Sequence, residues 1–201
     1  MGDLTLQHVV LRIAAVLLIA SVHGFGLAAS ACGLRDQGPR HDGRLSLNPA
    51  RHLDLLGGLL AVLFTFGWIR PIALDAVRLR RAGLIFVVGA ASCATVGLAV
   101  VLRLVRPMLL NWLPDTAAAT CFVLIETIGQ LALSFTVFNL LPLPPLSGQH
   151  LLAAVLPAKR HLLSALSPYS AVLLAVLIAS GVLARLLGPI EAAVGRVIAL
   201  G

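Results

Sequence analysis

The sequence predicts an all-α polytopic membrane protein, and three observations carry that prediction. Apolar residues make up 59% of the 201 positions and charged residues only 11%. Soluble domains run at roughly 45–50% apolar and about 25% charged, so a water-soluble fold of this length could not bury so much apolar surface. Second, uncharged runs recur at lengths that suit a bilayer, where a helix needs about 20 residues. Third, the net charge of +7 is carried almost wholly by arginines set between those runs. That pattern marks topology-determining loops and not a nucleic-acid surface. A soluble enzyme, a disordered chain and a secreted disulfide scaffold are excluded. Cys32, Cys93 and Cys121 lie in apolar stretches without the spacing of a disulfide framework or a zinc site. The length suits a core of about 4–6 membrane helices. With no internal repeat or linker, residues 1–201 read as a single membrane domain.

Residues 13–34 form the first apolar run, with His23 its lone ionisable group. Ala29-Ser30-Ala31-Cys32 resembles a lipoprotein cleavage site, but His23-Gly24 interrupts the apolar core and further spans follow, so a membrane helix is expected. The polar stretch 35–54 contains Arg35, Arg40, Arg44 and Arg51, with Gly-Pro and Asp-Gly pairs that mark turns. A short hairpin-like loop is expected there, with His41 and His52 in it. Residues 55–69 are uncharged but short for a crossing. If they cross, the arginines before them and those after (Arg78, Arg80, Arg81) lie on opposite faces. If they enter and return, both clusters share one face, which suits the charge rule better. The sequence leaves both open.

Residues 82–102 form a clear span ended by Arg103 and Arg106, and residues 117–138 form the next. The second carries Glu126, Gln130 and Ser134 at four-residue steps, on one helix face. A carboxyl in a span is costly, so this stripe should be buried or form an interface. Three prolines in four positions then end the helix at Pro142, Pro144 and Pro145. A short helix over 148–156, a basic pair at Lys159-Arg160 and a last span over 169–187 complete the reading.

The proline segment carries a family resemblance. Asn139-Leu140-Leu141-Pro142-Leu143-Pro144-Pro145-Leu146-Ser147-Gly148 resembles the N-x-x-P-x-x-x-L-D-G motif of site-2 proteases, which are intramembrane zinc metallopeptidases. Gly43 to Pro49, followed by His52-Leu53-Asp54, looks like the stretch after the H-E-x-x-H helix in the compact bacterial branch. Phe66-Gly67-Trp68-Ile69-Arg70-Pro71 looks like that branch's F-G-W-x-K-P. These matches are colinear from residue 23 to about residue 185. The resemblance implies an integral protein of the bacterial inner membrane, with the proline loop (Asn139, Pro142, Pro144, Pro145) beside the active site and shaping a substrate groove.

The family's chemistry does not transfer with its motifs. In H-E-x-x-H two histidines share a helix face and bind zinc, and the glutamate activates the metal-bound water. Here the text is His23-Gly24-Phe25-Gly26-Leu27: the Glu position is Gly24 and the second His position is Leu27. The third ligand, the Asp of L-D-G, falls on Ser147. The A-G-P-x-x-N segment aligns with residues 88–93, where only Gly89 survives. A catalytic zinc needs about three protein ligands and an open position, and losing the general base alone costs about 10²–10⁴-fold in rate. His150, three residues after Ser147, is the candidate for a rescued ligand with His23.

The expectation is therefore a catalytically inactive pseudoprotease without catalytic residues or cofactor. It would act as an accessory subunit or helix-binding partner of other transmembrane proteins, in contact with membrane lipids and without nucleic acid. The alternative is a divergent zinc metalloprotease with rescued ligands. A transporter-like pore has only Glu126 and Gln130 behind it. The arginine loops read as topology determinants, or as contacts for lipid headgroups or acidic partner surfaces.

Overall fold

The computed structural model describes residues 5–156 and 160–197. The helices, in chain order, are α1 (Leu6–Gly33), α2 (Gly38–His41), α3 (Pro49–His52), α4 (Leu55–Phe64), α5 (Ala76–Asn111), α6 (Asp115–Asn139), α7 (Gln149–Val155), α8 (Arg160–Ala179) and α9 (Val182–Val197). The protein is an all-α polytopic membrane protein. α1, α5 and α6 are each long and apolar enough to cross a bilayer, and the bent pair α8–α9 makes up to four. That is the low end of the expected helix number. Lys159 of the expected basic pair lies outside the described residues.

These helices are apolar on both sides for different reasons. Inward, α1, α5 and α6 bury Ala15, Ile19, Ala28, Leu84, Val87, Ala91, Ile128 and Ala132 against one another. The small residues let the backbones approach: a Cβ built on Gly26 of α1 would lie 3.0 Å from the Ala91 Cα of α5. Outward, Phe86, Leu104, Val172 and Val176 are more than half exposed. In water such a surface would be an aggregation patch; in lipid it is the solvated face.

Thr5 caps α1 by accepting from the His8 N–H. Its lower half packs on the short helix α4, which Asp54 caps through the Gly57 N–H. At about 1.5 Å per residue the ten residues of α4 cover half a bilayer core. Thr65 ends it in the left-handed conformation, φ 71°, and the chain turns back. Ile69 then pairs antiparallel with Leu53, and the Arg70 N–H donates to the His52 carbonyl at 2.7 Å. The two ends of 53–69 are therefore neighbours. The segment enters and returns, which resolves the ambiguity in the sequence. Both arginine clusters share one end of the bundle, where the Arg78 guanidinium donates to the Arg35 carbonyl.

Three expectations need correction. The loop after α1 is two single-turn helices and not a hairpin, organised by Asp36, whose carboxylate accepts from the Gly38 and Asp75 N–H groups. α5 breaks at Arg80 (φ 55°) and then runs on through Pro107 to Asn111, well past the expected end at 102. The span expected over 169–187 is not one helix. Ser180 and Gly181, the latter at φ 73°, break it into two arms bent by 77°; a glycine tolerates that φ without strain.

Candidate functional site

The centre of the bundle holds one imidazole with polar company. His23, near the middle of α1, is fully buried. Its Nδ1 lies 3.0 Å from the Thr95 hydroxyl of α5, and its Nε2 lies 2.8 Å from the Ser147 hydroxyl at the end of the proline loop. Thr95 Oγ1 donates to the Ala91 carbonyl at 2.8 Å, so it accepts from Nδ1–H. Nε2 is then bare and accepts the Ser147 O–H. A neutral ring satisfies the chain Ser147–His23–Thr95–Ala91 with one proton per bond. The ring edge packs on Phe135 of α6, centroids 5.2 Å apart. The structure thus unites His23 with the departing position Ser147, 124 residues away in sequence.

The other two degenerate positions are filled by packing. Leu27, one turn after His23, is 2% exposed and belongs to the main apolar core. Gly24 lies under the imidazole of His52, so that a Cβ on Gly24 would overlap the ring. His52 itself is completely buried. Its Nε2 donates to the Ser46 carbonyl at 2.6 Å, leaving its buried Nδ1 unpartnered. Burial first, with the nearby Arg44 charge opposing protonation as well, lowers the His52 pKa below its ordinary value; the Ser46 bond works the other way. Sequence reasoning placed His52 in a polar loop. The signal available was Gly24 itself, a helix-interior glycine that something bulky must cover.

The two ring nitrogens of His23 meet Thr95 and Ser147, and His150 is not among its hydrogen-bond partners. A zinc site would have to be built from His23, Leu27 and Ser147, and that donor set is one imidazole and one hydroxyl. Among the described residues no three His, Cys, Asp or Glu side chains converge on a point that could hold a metal. The residues present do not fit the catalytic zinc of site-2 proteases.

The proline loop is held from behind. Asn139 Nδ2 donates to the Gly67 carbonyl at 2.8 Å and to the Phe135 carbonyl at 2.9 Å. The Gly148 N–H donates back to the Asn139 carbonyl at 2.7 Å. Broken backbone at membrane depth survives only where such partners satisfy it. Pro142 is exposed, Pro145 half-buried and Pro144 buried, so the loop offers Pro142 outward and places Ser147 inward.

The polar stripe on α6 is divided among three environments. Glu126 pairs with Arg106 of α5, whose guanidinium also lies over the Phe122 ring. Gln130 is exposed. Ser134 is buried and lies near the Glu191 carboxyl of α9. Glu126 finds its partner on another helix because α5 extends far enough to bring Arg106 opposite it. Glu191 was not singled out by the sequence reading.

Among known proteins, the chain is 31% identical over 143 residues to a Bacillus subtilis (strain 168) protein named "Putative zinc metalloprotease YwhC". The match takes in 68% of this chain and 65% of that protein, so the chain spans just under two thirds of its relative's length. No family model matches the chain, and no solved structure matches it. The similarity is consistent with a distant site-2-protease-like relationship.

Proposed function

We propose that the protein is a site-2-protease-like membrane module that binds transmembrane segments without cutting them, as an accessory subunit of a membrane complex. One observation carries the reading: each position where the protease family keeps a catalytic group is here engaged in packing or neutral hydrogen bonding. Ser147 closes onto His23, Leu27 fills the core, and His52 covers Gly24. Such mutual fit supports a site adapted to stability and not one that has merely lost a ligand. The half that would hold a client, the proline loop, is built and anchored by Asn139.

The name of the relative favours a second reading, an active zinc metalloprotease. The two are separated by reconstituting the purified chain with a fluorogenic transmembrane peptide and zinc. The pseudoprotease reading expects capture of the peptide with cleavage at background. It also expects background cleavage for Gly24→Glu and Leu27→His alone, because ligands and base act as a unit. Zinc-dependent cleavage by the unmodified chain, abolished by His23→Ala, would establish the second reading instead.

A further inference from the structure

Arg44 is another buried polar side chain that ties distant segments together. It is 6% exposed. One terminal nitrogen donates to the Arg51 carbonyl and the other to the Arg70 carbonyl, on the two stretches where the chain enters and leaves the 53–69 segment. Those bonds use its outer nitrogens. The Nε–H is buried and has no partner. Beside it lies a cleft of about 240 Å³ lined by Asp42, Arg44, Arg51, Arg70, Pro71 and Ile72.

Three guanidiniums and one carboxylate therefore meet at one cleft, and its charge is not neutralised. Among the described residues the ion pairs are Arg78–Asp75 and Arg106–Glu126, so none of the three arginines is paired with Asp42. Burial first, then the Arg70 charge, lowers the Arg44 pKa from its ordinary value, with Asp42 opposing. A bound anion would relieve both costs. The shape of the donor set narrows the anion. Guanidiniums present planar forks that match the oxygens of a tetrahedral phosphate, and several forks around one centre suit phosphate better than a planar carboxylate. The cleft lies on the arginine-rich end of the bundle, with Arg51 and Arg70 exposed, which is where lipid headgroups would stand.

We propose that the Arg44–Arg51–Arg70 cleft is a phosphate-binding site, filled by the phosphate of an anionic membrane lipid or by a soluble phosphate. Its ligand braces the two ends of the re-entrant segment, since Arg44 already joins them.

Thermal unfolding of the full chain in neutral detergent tests this. One arm titrates inorganic phosphate against chloride at matched ionic strength. The other titrates phosphatidylglycerol in mixed micelles against diacylglycerol, which lacks the phosphate. The expected result is a saturable rise in Tm with at least one phosphate probe. The Arg51→Gln/Arg70→Gln variant should weaken the apparent affinity by about tenfold or more. Should that variant fail to fold, Arg51→Gln alone carries the test, because the Arg51 guanidinium donates to no group in the structure. A response to phosphatidylglycerol only assigns the site to lipid; a response to both, with inorganic phosphate competing, assigns it to the phosphate group from either source. No saturable rise with either probe, or equal affinity in a folded variant, would overturn the proposal.

Discussion

His23 and Arg44 are two buried polar centres that join segments far apart in the chain, and they are finished differently. His23 is neutral in its hydrogen-bond pattern, and each ring nitrogen meets a hydroxyl that is itself satisfied. Arg44 carries a charge, uses two nitrogens on carbonyls and leaves a third without an acceptor. The first centre lies where the protease family works, yet its chemistry is closed. The second lies where the family motif offers only structural text, yet it is open. A fully satisfied polar network specifies a fold, whereas a partly satisfied one asks for a ligand. Unmet bonding capacity thus lies at the arginine end of the bundle, on Arg44 Nε, as well as on Asn139 Oδ1 by the proline loop and His52 Nδ1 over Gly24.

The contrast can be broken at several places, and the largest effect is expected at Arg44. Arg44→Met leaves the Arg51 and Arg70 carbonyls without this donor, which should destabilise the fold by about 2–5 kcal/mol. Thermal unfolding in detergent measures it; a loss within experimental error would mean that the two ends of 53–69 hold without the arginine. Next comes Gly24→Glu, which restores the family residue under the His52 ring. Overlap and a buried carboxylate should cost about 3 kcal/mol. Adding His52→Ala should recover part of that loss, and strict additivity of the two changes would show that the ring does not cover Gly24. Ser147→Ala follows, since it strips the acceptor Nε2 of its donor at a buried site, a loss of about 1–3 kcal/mol.

The smallest effect is a pH dependence from His52. Its pKa in the folded protein lies below its unfolded value near 6.5 because burial disfavours the cation. The unfolded chain then binds more protons, so stability is full above about pH 6.5 and declines as pH falls from there towards the folded value. His52→Asn should flatten that part of the curve. A curve of unchanged shape in the variant would assign the acid sensitivity to another group.

How far the sequence showed this in advance depends on the range of the interaction. The spans at α1, α5 and α6 were legible because an uncharged run of sufficient length is a local signal. The nearness of His23 and Ser147 was legible because each motif is local text and their colinearity with the resemblance placed them together. Long-range pairings were not. Glu126 and Arg106 lie on different helices, and reading the span as ending at 102 placed the arginine in a loop. The break at Gly181 carries no proline or charge to announce it. His52 and Arg44 looked like ordinary polar-loop residues, because nothing local says that a loop will fold inward against mid-helix. Gly24 and the returning segment decide that, and both act through tertiary contact.

The most direct measurement is the metal content of the purified chain. Elemental analysis after expression with zinc present and dialysis against a weak chelator should find well under one zinc per chain, on the order of a tenth or less, since one imidazole and one hydroxyl cannot hold a structural or catalytic ion. One tightly held zinc per chain, lost on His23→Ala, would contradict the account and make the protein a metalloprotease with ligands of its own.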